Sequence, residues 1–329
     1  MDYPFVSVVV GIRNEERNIV ECIESLLNQD YPKEMYEIII VDGMSTDNTR
    51  NLVEQYPVKL FLNEKINVAA ARNIGIREAR GEYIAFTDGD CKADRSWLST
   101  LVYEMLNAPE NVACVGGPNL IFDTDTLFAR VVGYAQETFL GSGGSAQTNN
   151  SSKKKYVQSI PNCNAFYKKK IIEDIGYFDE TFVVGQDCDL NFRIGKKGYK
   201  FLYVPEAKVY HHRRGNPRSF SIQMFRYGSW MVKLFRKHRN IVRWYAFIPA
   251  ISIIIVLIGL VLSIKYIIVL RFVGFLALIY IFLISYTALK VSTKMRSIYG
   301  LNTLYILPLQ HIMYGFGVLS QLIQRQKNY

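Results

Sequence analysis

The sequence predicts an α/β domain followed by C-terminal membrane helices, and two observations lead to this prediction. Short apolar runs alternate with segments of helical periodicity through residues 1–206, which is typical of a parallel sheet covered by helices. All 29 Asp and Glu residues also lie in this part, whereas residues 207–329 contain 17 Lys and Arg and no carboxylate. So long a stretch without an acid is unusual in a soluble domain, and we expect lipid to surround part of it. With 50% hydrophobic residues, 10 Pro and 22 Gly, the chain is neither disordered nor collagen-like.

Strands and helices alternate along the start of the chain. Apolar runs predict strands at Val6–Val10, Glu37–Val41, Lys59–Leu62 and Tyr83–Thr87. Helical spacing and capping residues predict helices at Asn18–Asn28, Thr49–Gln55 and Ala69–Ala79. Asp42 and Asp88 directly follow two of the strands, and ligands of a parallel sheet bind beyond the carboxyl ends of its strands. We therefore expect a functional site at this edge. Residues 141–155, rich in Gly, Ser and Asn, predict a mobile loop.

Three apolar stretches predict membrane spans. Residues 244–264 carry no charge and are long enough to cross a hydrocarbon core of roughly 30 Å. Residues 266–289 form a second stretch, interrupted only by Arg271 near one end, and the short link at Lys265 makes the pair a helical hairpin. Residues 301–323 include Pro308 and polar side chains, so this stretch is either a kinked span or a re-entrant segment. The alternative, core helices of a soluble protein, is excluded by the length of the stretches and the cations beside them.

The cations beside the spans predict their orientation. Those before the first span and after the second are Arg236, Lys237, Arg239, Arg243, Lys290, Lys294 and Arg296. Lys265 alone lies at the hairpin tip, and cytoplasmic flanks are rich in Lys and Arg, so we expect a multi-pass protein of the cell membrane with residues 1–240 in the cytoplasm. Five cysteines, an odd number without a CxxC pair, fit a reducing compartment, and residues 1–4 lack the basic start of a signal peptide. Membrane lipids with anionic headgroups explain the basic surface, so no nucleic-acid partner is expected.

These features divide the chain into an α/β domain, 1–216, an amphipathic interfacial segment, 217–243, and a transmembrane region, 244–324. Residues 219–238 place aromatic and aliphatic side chains among Arg and Lys, which is typical of a helix lying in the membrane interface. Packing of this helix on the α/β domain is an alternative, and both can hold. In either case the functional site at the sheet edge would face the bilayer.

An Asp-Gly-Asp sequence follows the fourth predicted strand. Asp88 and Asp90 could turn toward one oxygen-loving cation, although an ordinary Asp-Gly turn is the alternative reading. Three further blocks accompany it in order, at residues 8–16, 40–47 and 71–75. Together the four blocks resemble the nucleotide-sugar half of the family 2 glycosyltransferases.

The resemblance continues to residue 230. Residues 161–166 and 175–180 are similar to the segment that precedes the acceptor site in this family, and residues 185–190 are similar to its Glu-Asp motif, with Gln186 in place of Glu. Residues 223–227 resemble the Gln-x-x-Arg-Trp motif of its membrane synthases, with Tyr227 in place of Trp. Both departures, and the number of spans, are closer to a succinoglycan-type exopolysaccharide transferase than to a processive synthase.

This resemblance implies a GT-A fold, which is a Rossmann-like nucleotide-diphospho-sugar transferase domain. It further implies inverting transfer of a sugar from a UDP- or GDP-sugar donor to a hydroxyl of a lipid-linked or glycan acceptor, as in polysaccharide biosynthesis. A divalent cation, Mn²⁺ or Mg²⁺, would accompany the diphosphate leaving group. A polyprenyl-phosphate sugar synthase is the alternative enzyme, and a non-catalytic nucleotide-sugar-binding membrane protein is the alternative of another class.

The resemblance also implies a metal site. Asp90 is the expected direct ligand, with Asp88 directed toward the ribose or the metal. The family often places a metal-binding His after a strand near the end of its domain, and His211 occupies that position here. His212 is adjacent, so the choice between the two stays open.

Six residues are expected at the donor, and Asp88, directed toward the ribose or the metal, is one of them. By resemblance, Asp42 accepts a hydrogen bond from the nucleobase, Glu15 helps to hold the nucleoside, and Arg72 approaches the diphosphate. A solvated helix charge is the alternative for Arg72. Gln223 and Arg226 share a helix face at i, i+3, so both could reach a diphosphate.

Asp187 is the expected catalytic base. An acceptor hydroxyl is a poor nucleophile at neutral pH, so a carboxylate must take its proton as it attacks. Asp189 is the rival. If residues 190–194 are helical, both carboxylates lie at the start of that helix, where acids are also ordinary caps.

Overall fold

The computed structural model describes residues 3–145 and 151–324. The chain forms two compact units, Met1–Phe122 with Ala146–His212, and Asp123–Ser145 with Arg213–Tyr329. The prediction drew a single border at residue 216, and the grouping of 123–145 with the C-terminal helices was not foreseen.

The described strands and helices alternate through the first unit, and helices alone form the second. The strands are β1 Val6–Ile12, β2 Tyr36–Asp42, β3 Lys59–Leu62, β4 Tyr83–Asp88, β5 Cys91–Ala93, β6 Val112–Gly116, β7 Asn119–Leu120, β8 Lys155–Val157, β9 Ala165–Lys168, β10 Lys200–Tyr203 and β11 Val209–His211. The helices are α1 Ile19–Leu27, α2 Thr49–Val53, α3 Val68–Glu78, α4 Trp97–Leu106, α5 Leu127–Gln136, α6 Phe139–Ser142, α7 Lys169–Ile175, α8 Gln186–Lys196, α9 Pro217–Lys237, α10 Ile248–Ser263, α11 Ile267–Met295 and α12 Thr303–Ile323.

The large sheet has the order β3-β2-β1-β4-β9-β6-β10-β8. Its first four strands are parallel, as the sequence predicted. The sheet as a whole is mixed, which corrects the prediction, because β9 runs antiparallel to both β4 and β6. Thr87 Oγ1 donates to Cys163 O at 3.1 Å, so the chain enters β9 at the edge where β4 ends. A strand entered from that edge must run against its neighbours.

Burial on both faces explains why the central strands are almost wholly apolar. Val8 and Val10 pack into one core, while Val9 packs into the core on the opposite face. Alternate residues of a strand point to opposite faces, so a strand covered by helices on both sides needs apolar residues at every position.

The register of the sheet brings the predicted site residues to one edge. Ile12 is opposite Asp42 across the β1–β2 pair, and Gly11 is opposite Asp88 across the β1–β4 pair. A second, three-stranded sheet has the order β5-β11-β7, and in it His211 lies directly opposite Cys91. Because β5 starts one residue after Asp90, this small sheet joins the Asp-Gly-Asp loop to His211.

The loop predicted at residues 141–155 is only partly described. Helix α6 occupies Phe139–Ser142, and β8 begins at Lys155. Residues 146–150 lie outside the described residues.

In the second unit, α9 packs closely on α12. Phe220, Met224, Gly228 and Val232 recur every fourth residue on the buried face of α9. A Cβ atom on Gly228 would lie 2.0 Å from Tyr314 O, and one on Gly317 would lie 2.0 Å from Phe225 O. Only glycine allows the two backbones to approach so closely, as in small-residue contacts between membrane helices.

Within the described residues, three helical segments are long and apolar enough to cross a membrane: Trp244–Ser263, Ile267–Met295 and Ile298–Ile323. The first two match the predicted hairpin. The third segment contains α12, which continues through Pro308 without a break. At about 1.5 Å per residue its 21 residues extend over roughly 30 Å, the thickness of a hydrocarbon core. This length would suffice to cross the membrane, and the choice between a span and a re-entrant segment stays a prediction.

Candidate active site

The loops after β1 and β2 interlock at the edge of the sheet. Asn14 N donates to Ser45 Oγ at 2.8 Å, and Thr46 N donates to Asn14 Oδ1 at 2.8 Å. Asn14 and Met44 both adopt positive φ, 55° and 58°. Strained backbone of this kind, held by reciprocal hydrogen bonds, gives a ligand a preformed wall.

Asp42 lies beneath this wall and is fully buried. Its carboxylate accepts hydrogen bonds from Ser45 N at 3.0 Å and from Ser45 Oγ, and it pairs with Arg50 Nη2 at 3.1 Å. These bonds fix the loop, so a bond from a nucleobase to Asp42 requires Ser45 or Arg50 to give way.

Glu15 lies across the Asp-Gly-Asp loop. A Cβ atom on Gly89 would lie 2.8 Å from Ile12 Cγ2 and 3.2 Å from Glu15 Cγ, which explains the glycine between the two aspartates. Glu15 Oε2 accepts a hydrogen bond from Asn18 Nδ2 at 2.9 Å. The side chain is thus held at the mouth of the site by the residue that precedes α1.

Arg72 and Asp88 form an ion pair on the floor of the site. Arg72 Nη2 donates to Asp88 Oδ1 at 2.8 Å, and the arginine is only 4% exposed, so it is not a solvated helix charge. Its Nε and Nη1 atoms are buried without a hydrogen-bond partner in the described part of the chain. Buried donors without partners are costly, so these two nitrogens indicate a place for an anion.

Asp90 is paired with His211. Asp90 Oδ1 lies 3.2 Å from His211 Nε2, and it lies 4.0 Å from Cys91 Sγ. His212 Nε2 instead lies 3.7 Å from Glu21 Oε2, and its ring stacks on Phe122. Of the two histidines left open by the sequence, the structure therefore brings the ring of His211 to Asp90. His211 itself belongs to the short strand β11 rather than following it.

These donors fit a divalent cation. One potential ligand atom from each of Asp90, Cys91 and His211 lies within 4.8 Å of the other two. Carboxylate and imidazole suit Mn²⁺, and the carboxylate of Asp88, although engaged by Arg72, lies two residues from Asp90.

The surrounding field favours positive charge. Burial, followed by the charges of Asp90 and Asp88, raises the pKa of the Cys91 thiol well above its usual value. The same causes raise the pKa of the Cys22 thiol, whose Sγ lies 3.5 Å from Asp88 O. The part of both shifts that Asp90 and Asp88 cause reflects the negative charge of residues 88–90, which attracts a cation.

Asp187 and Asp189 differ in their surroundings. Helix α8 begins at Gln186 after Gly185, so both carboxylates lie in its first turn, as expected. Asp189 is fully buried and pairs with Arg193 Nε at 2.9 Å. Asp187 is partly exposed, and its Oδ1 accepts a hydrogen bond from Cys188 N at 2.8 Å. Of the two, Asp187 is the one whose carboxylate a ligand can reach.

Gln186, at the start of α8, is buried, and its Oε1 has no hydrogen-bond partner among the described residues.

Gln223 and Arg226, the pair predicted to reach the diphosphate, lie on α9 in the second unit, where Gln223 Nε2 donates to Tyr227 Oη at 3.3 Å. Their approach to a diphosphate stays a prediction.

Two supporting residues were not identified from the sequence. Asn164 is buried and donates to Pro118 O and Ala207 O, at 3.0 and 2.8 Å, while it accepts from Trp97 Nε1. It thereby fixes the segments that lead into β7 and β11, two strands of the small sheet that carries His211. Cys91 was also missed, although its place directly after the Asp-Gly-Asp sequence was a visible signal.

Comparison with known proteins gives a consistent result. The family model described as "Glycosyl transferase family 2" matches residues 7–176. The chain is 27% identical, over 97% of its own length and 98% of the relative's, to the dolichyl N-acetyl-alpha-D-glucosaminyl phosphate 3-beta-D-2,3-diacetamido-2,3-dideoxy-beta-D-glucuronosyltransferase of Methanococcus voltae. It is also 27% identical to the succinoglycan biosynthesis protein ExoA of Rhizobium meliloti (strain 1021), over 70% of each chain.

The fold has solved counterparts. The mannosyltransferase PcManGT of Pyrobaculum calidifontis, in complex with GDP-Man and Mn²⁺, superposes with a TM-score of 0.52 at 24% identity, over 71% of this chain and 64% of that one. The predicted α/β GT-A fold and the predicted resemblance are confirmed. The chain belongs to glycosyl transferase family 2.

Proposed function

We propose that this protein is a membrane-anchored, inverting glycosyltransferase of glycan biosynthesis, which transfers a sugar from a UDP- or GDP-sugar to a hydroxyl of a lipid-linked or glycan acceptor. The observation that carries the proposal is an anion site beside a cation site. Arg72 is buried, has two nitrogen donors without a hydrogen-bond partner in the described part of the chain, and pairs with Asp88. Asp90, two residues after Asp88, pairs with His211. A sugar nucleotide needs this combination, because its leaving group is a diphosphate that travels with a divalent cation.

The cation would be held by Asp90 and His211, with Asp88 beside them. A bound Mn²⁺ or Mg²⁺ would supply positive charge that stabilises the departing diphosphate. Arg72 adds two hydrogen bonds to the same oxygens, and Gln223 and Arg226 keep the diphosphate role predicted from the sequence.

The remaining residues bind the nucleoside of the donor and activate the acceptor hydroxyl. Glu15 and Asp42 hold the nucleoside at the wall formed by the loops after β1 and β2. Asp187 takes the proton of the acceptor hydroxyl as the oxygen attacks the anomeric carbon and the bond to the diphosphate breaks. A single displacement of this kind inverts the anomeric configuration.

A lipid-linked acceptor at the cytoplasmic face of the membrane completes the proposal. The Methanococcus voltae relative, which matches almost the whole chain, is named for a dolichyl-linked sugar phosphate acceptor. Three helices long enough to cross a membrane and the basic residues on both flanks of the hairpin support the same location.

Release of nucleoside diphosphate from a panel of UDP- and GDP-sugars tests the proposal. The full chain in lipid nanodiscs is assayed with a polyprenyl-linked sugar, in Mn²⁺ and in EDTA. We expect turnover of at least one donor, in Mn²⁺ only, and its loss in Asp90→Ala. Asp30→Ala, which removes an exposed carboxylate from the same unit, should turn over normally. Turnover undiminished in EDTA, or none with any donor, would refute the proposal.

A further inference from the structure

Cys91 and His211 are cross-strand partners in the small sheet, directly opposite each other in the antiparallel pair of β5 and β11. Opposite residues of such a pair point to the same face, with Cβ atoms about 5 Å apart. Asp90 precedes β5 and turns its carboxylate toward the same face, 3.2 Å from His211 Nε2 and 4.0 Å from Cys91 Sγ. Three different metal-binding groups thus converge on one point.

The spacing suits a tetrahedral ion. Zinc binds sulfur at about 2.3 Å and nitrogen or oxygen at about 2.0–2.1 Å, so its ligand atoms lie roughly 3.3–3.6 Å from one another. The three atoms of this cluster lie within 4.8 Å of one another, and two of the separations are 3.2 and 4.0 Å. Binding would require side-chain rotations that bring the buried sulfur of Cys91 closer to the other two atoms.

The chemistry of the donors selects the ion. Thiolate sulfur prefers Zn²⁺, Co²⁺ or Cd²⁺, whereas Mg²⁺ and Mn²⁺ prefer oxygen and leave a thiol uncoordinated. We propose that Asp90, Cys91 and His211 form a site for a thiophilic divalent cation, Zn²⁺ by preference, and that its occupation withdraws Asp90 and His211 from the Mn²⁺ or Mg²⁺ that accompanies the donor. The metal site itself is inferred from geometry alone. Its consequence, inhibition of sugar transfer by zinc, rests on the proposed function.

Metal binding at this site releases one proton. The Cys91 thiol gives its proton to the solvent as the sulfur–metal bond forms, so one ion enters and one proton leaves. Asp90 and His211 contribute an oxygen and a nitrogen, and a water molecule completes four-coordination.

The absorption spectrum of bound Co²⁺ tests the site in the wild-type protein and requires no catalytic activity. The full chain in detergent is titrated with Co²⁺ and no donor, and we expect the intense absorption of four-coordinate Co²⁺ together with a sulfur-to-cobalt charge-transfer band. Zn²⁺ should abolish both by displacement. In Cys91→Ser the charge-transfer band should be absent and Zn²⁺ affinity should fall at least about tenfold, because loss even of an outer-shell partner costs about 10–100-fold. Mn²⁺ affinity should change far less.

Cys22→Ser is the matched control, since Cys22 is also buried beside the Asp-Gly-Asp loop but lies outside the cluster. Its band should equal that of the wild type. A wild-type spectrum without a sulfur band, or a band that survives in Cys91→Ser or is lost in Cys22→Ser, overturns the inference. Because these spectra need no donor, a protein that shows the band but transfers no sugar supports this site while the proposed function fails. A protein that transfers sugar with Mn²⁺ but lacks the band supports the proposed function and refutes this site.

Discussion

Two aspartates in the first turn of α8 show how strongly a residue's role depends on its immediate contacts. Asp189 pairs with Arg193, whose other nitrogens donate to Ile175 O and Tyr177 O, so this carboxylate holds the preceding turn in place. Asp187 has one backbone hydrogen bond and keeps a partly exposed carboxylate. Sequence spacing alone treats the two as equivalent.

Asp187→Asn should therefore separate catalysis from stability. Asparagine keeps the shape of the side chain and can still accept from Cys188 N, but it cannot take a proton. We expect normal folding and donor binding, with a transfer rate lower by about 10²–10⁴-fold, the usual range for loss of a general base. Rates are measured with saturating donor, and melting temperatures are recorded in parallel.

Asp189→Asn is the matched control and should behave in the opposite way, with a lower melting temperature and near-normal turnover per folded molecule. If Asp187→Asn instead turns over normally and loses only about 1 kcal/mol of stability, Asp187 is a helix cap. An acceptor phosphate, as in a polyprenyl-phosphate sugar synthase, would also leave the rate of Asp187→Asn unchanged.

The sequence revealed those site residues whose position follows from their neighbours in the chain, and it did not reveal those that depend on contacts between distant segments. Asp42 and Asp88 were found because a strand end is visible as the end of an apolar run. The choice between His211 and His212 was not visible, because it depends on the pairing of β11 with β5, which places His211 opposite Cys91. Asn164 was missed for the same reason, since its partners are distant in sequence.

At the scale of elements, Glu37 joins strands at the edge of the sheet opposite the site. It accepts from Ser7 Oγ at 2.7 Å across the β1–β2 pair, and it pairs with Lys59 Nζ at 2.7 Å on β3. Arg80 N also donates to it at 2.8 Å just before β4. Burial raises the pKa of Glu37, but the hydrogen bonds from Lys59, Arg80 and Ser7 outweigh burial and lower that pKa to about 2.

Glu37→Gln should make the stability of the sheet less dependent on pH. A depressed pKa contributes stability that is complete above the ordinary value of 4.5 and is lost as the pH falls toward 2. We expect the variant to lose about 2 kcal/mol at neutral pH, less than the full shift implies because Lys59 and Arg80 are solvent-exposed. The difference from wild type should shrink between pH 4.5 and about 2, as measured by urea unfolding. Glu34→Gln, an exposed neighbour, should show no such trend, and a constant difference for Glu37→Gln would contradict the assignment.

The contact between α9 and α12 depends on glycine at two points. Gly228→Ala would place a methyl group 2.0 Å from Tyr314 O, so the helices must separate. We expect a loss of about 1–3 kcal/mol, the usual cost of overpacking, seen as a lower melting temperature in detergent. Gly274→Ala on α11 is the control, because a Cβ atom there meets nothing within 4 Å. Equal melting temperatures for the two variants would show that the backbones do not approach so closely.

The strands and helices of the first 90 residues were predictable, but the direction of the strands that follow was not. The four parallel strands and three helices of the first 90 residues were predicted within a few residues of their observed ends, because apolar periodicity records burial directly. Nothing in the sequence of β9 indicates that it runs antiparallel, since periodicity carries no direction.

At the scale of the whole molecule, charge and hydropathy separated the chain correctly into a mixed α/β part and an apolar helical part. They failed at residues 123–145, which group with the C-terminal helices although their composition resembles that of the first unit. Contacts such as the ion pair of Glu137 with Lys294, and the hydrogen bond from Gln310 Nε2 to Gly141 O at 2.7 Å, hold this segment. Each joins residues more than 150 positions apart, so no local pattern could reveal them.

The orientation of the membrane helices is the last prediction. Seven Lys and Arg flank the base of the hairpin and one lies at its tip, so the tip should face the outside of the cell. Ile264 lies at this tip and is 88% exposed, whereas Asn240 precedes the first span. The protein should stay in the membrane during alkaline carbonate extraction. A membrane-impermeant maleimide should label Ile264→Cys in intact cells and Asn240→Cys only after lysis. Wild type sets the background, which should be low because four of its five cysteines are buried. Release by carbonate would contradict insertion into the membrane. Labelling of Asn240→Cys but not of Ile264→Cys in intact cells would reverse the orientation, since the cations would then lie on the face that the positive-inside rule excludes.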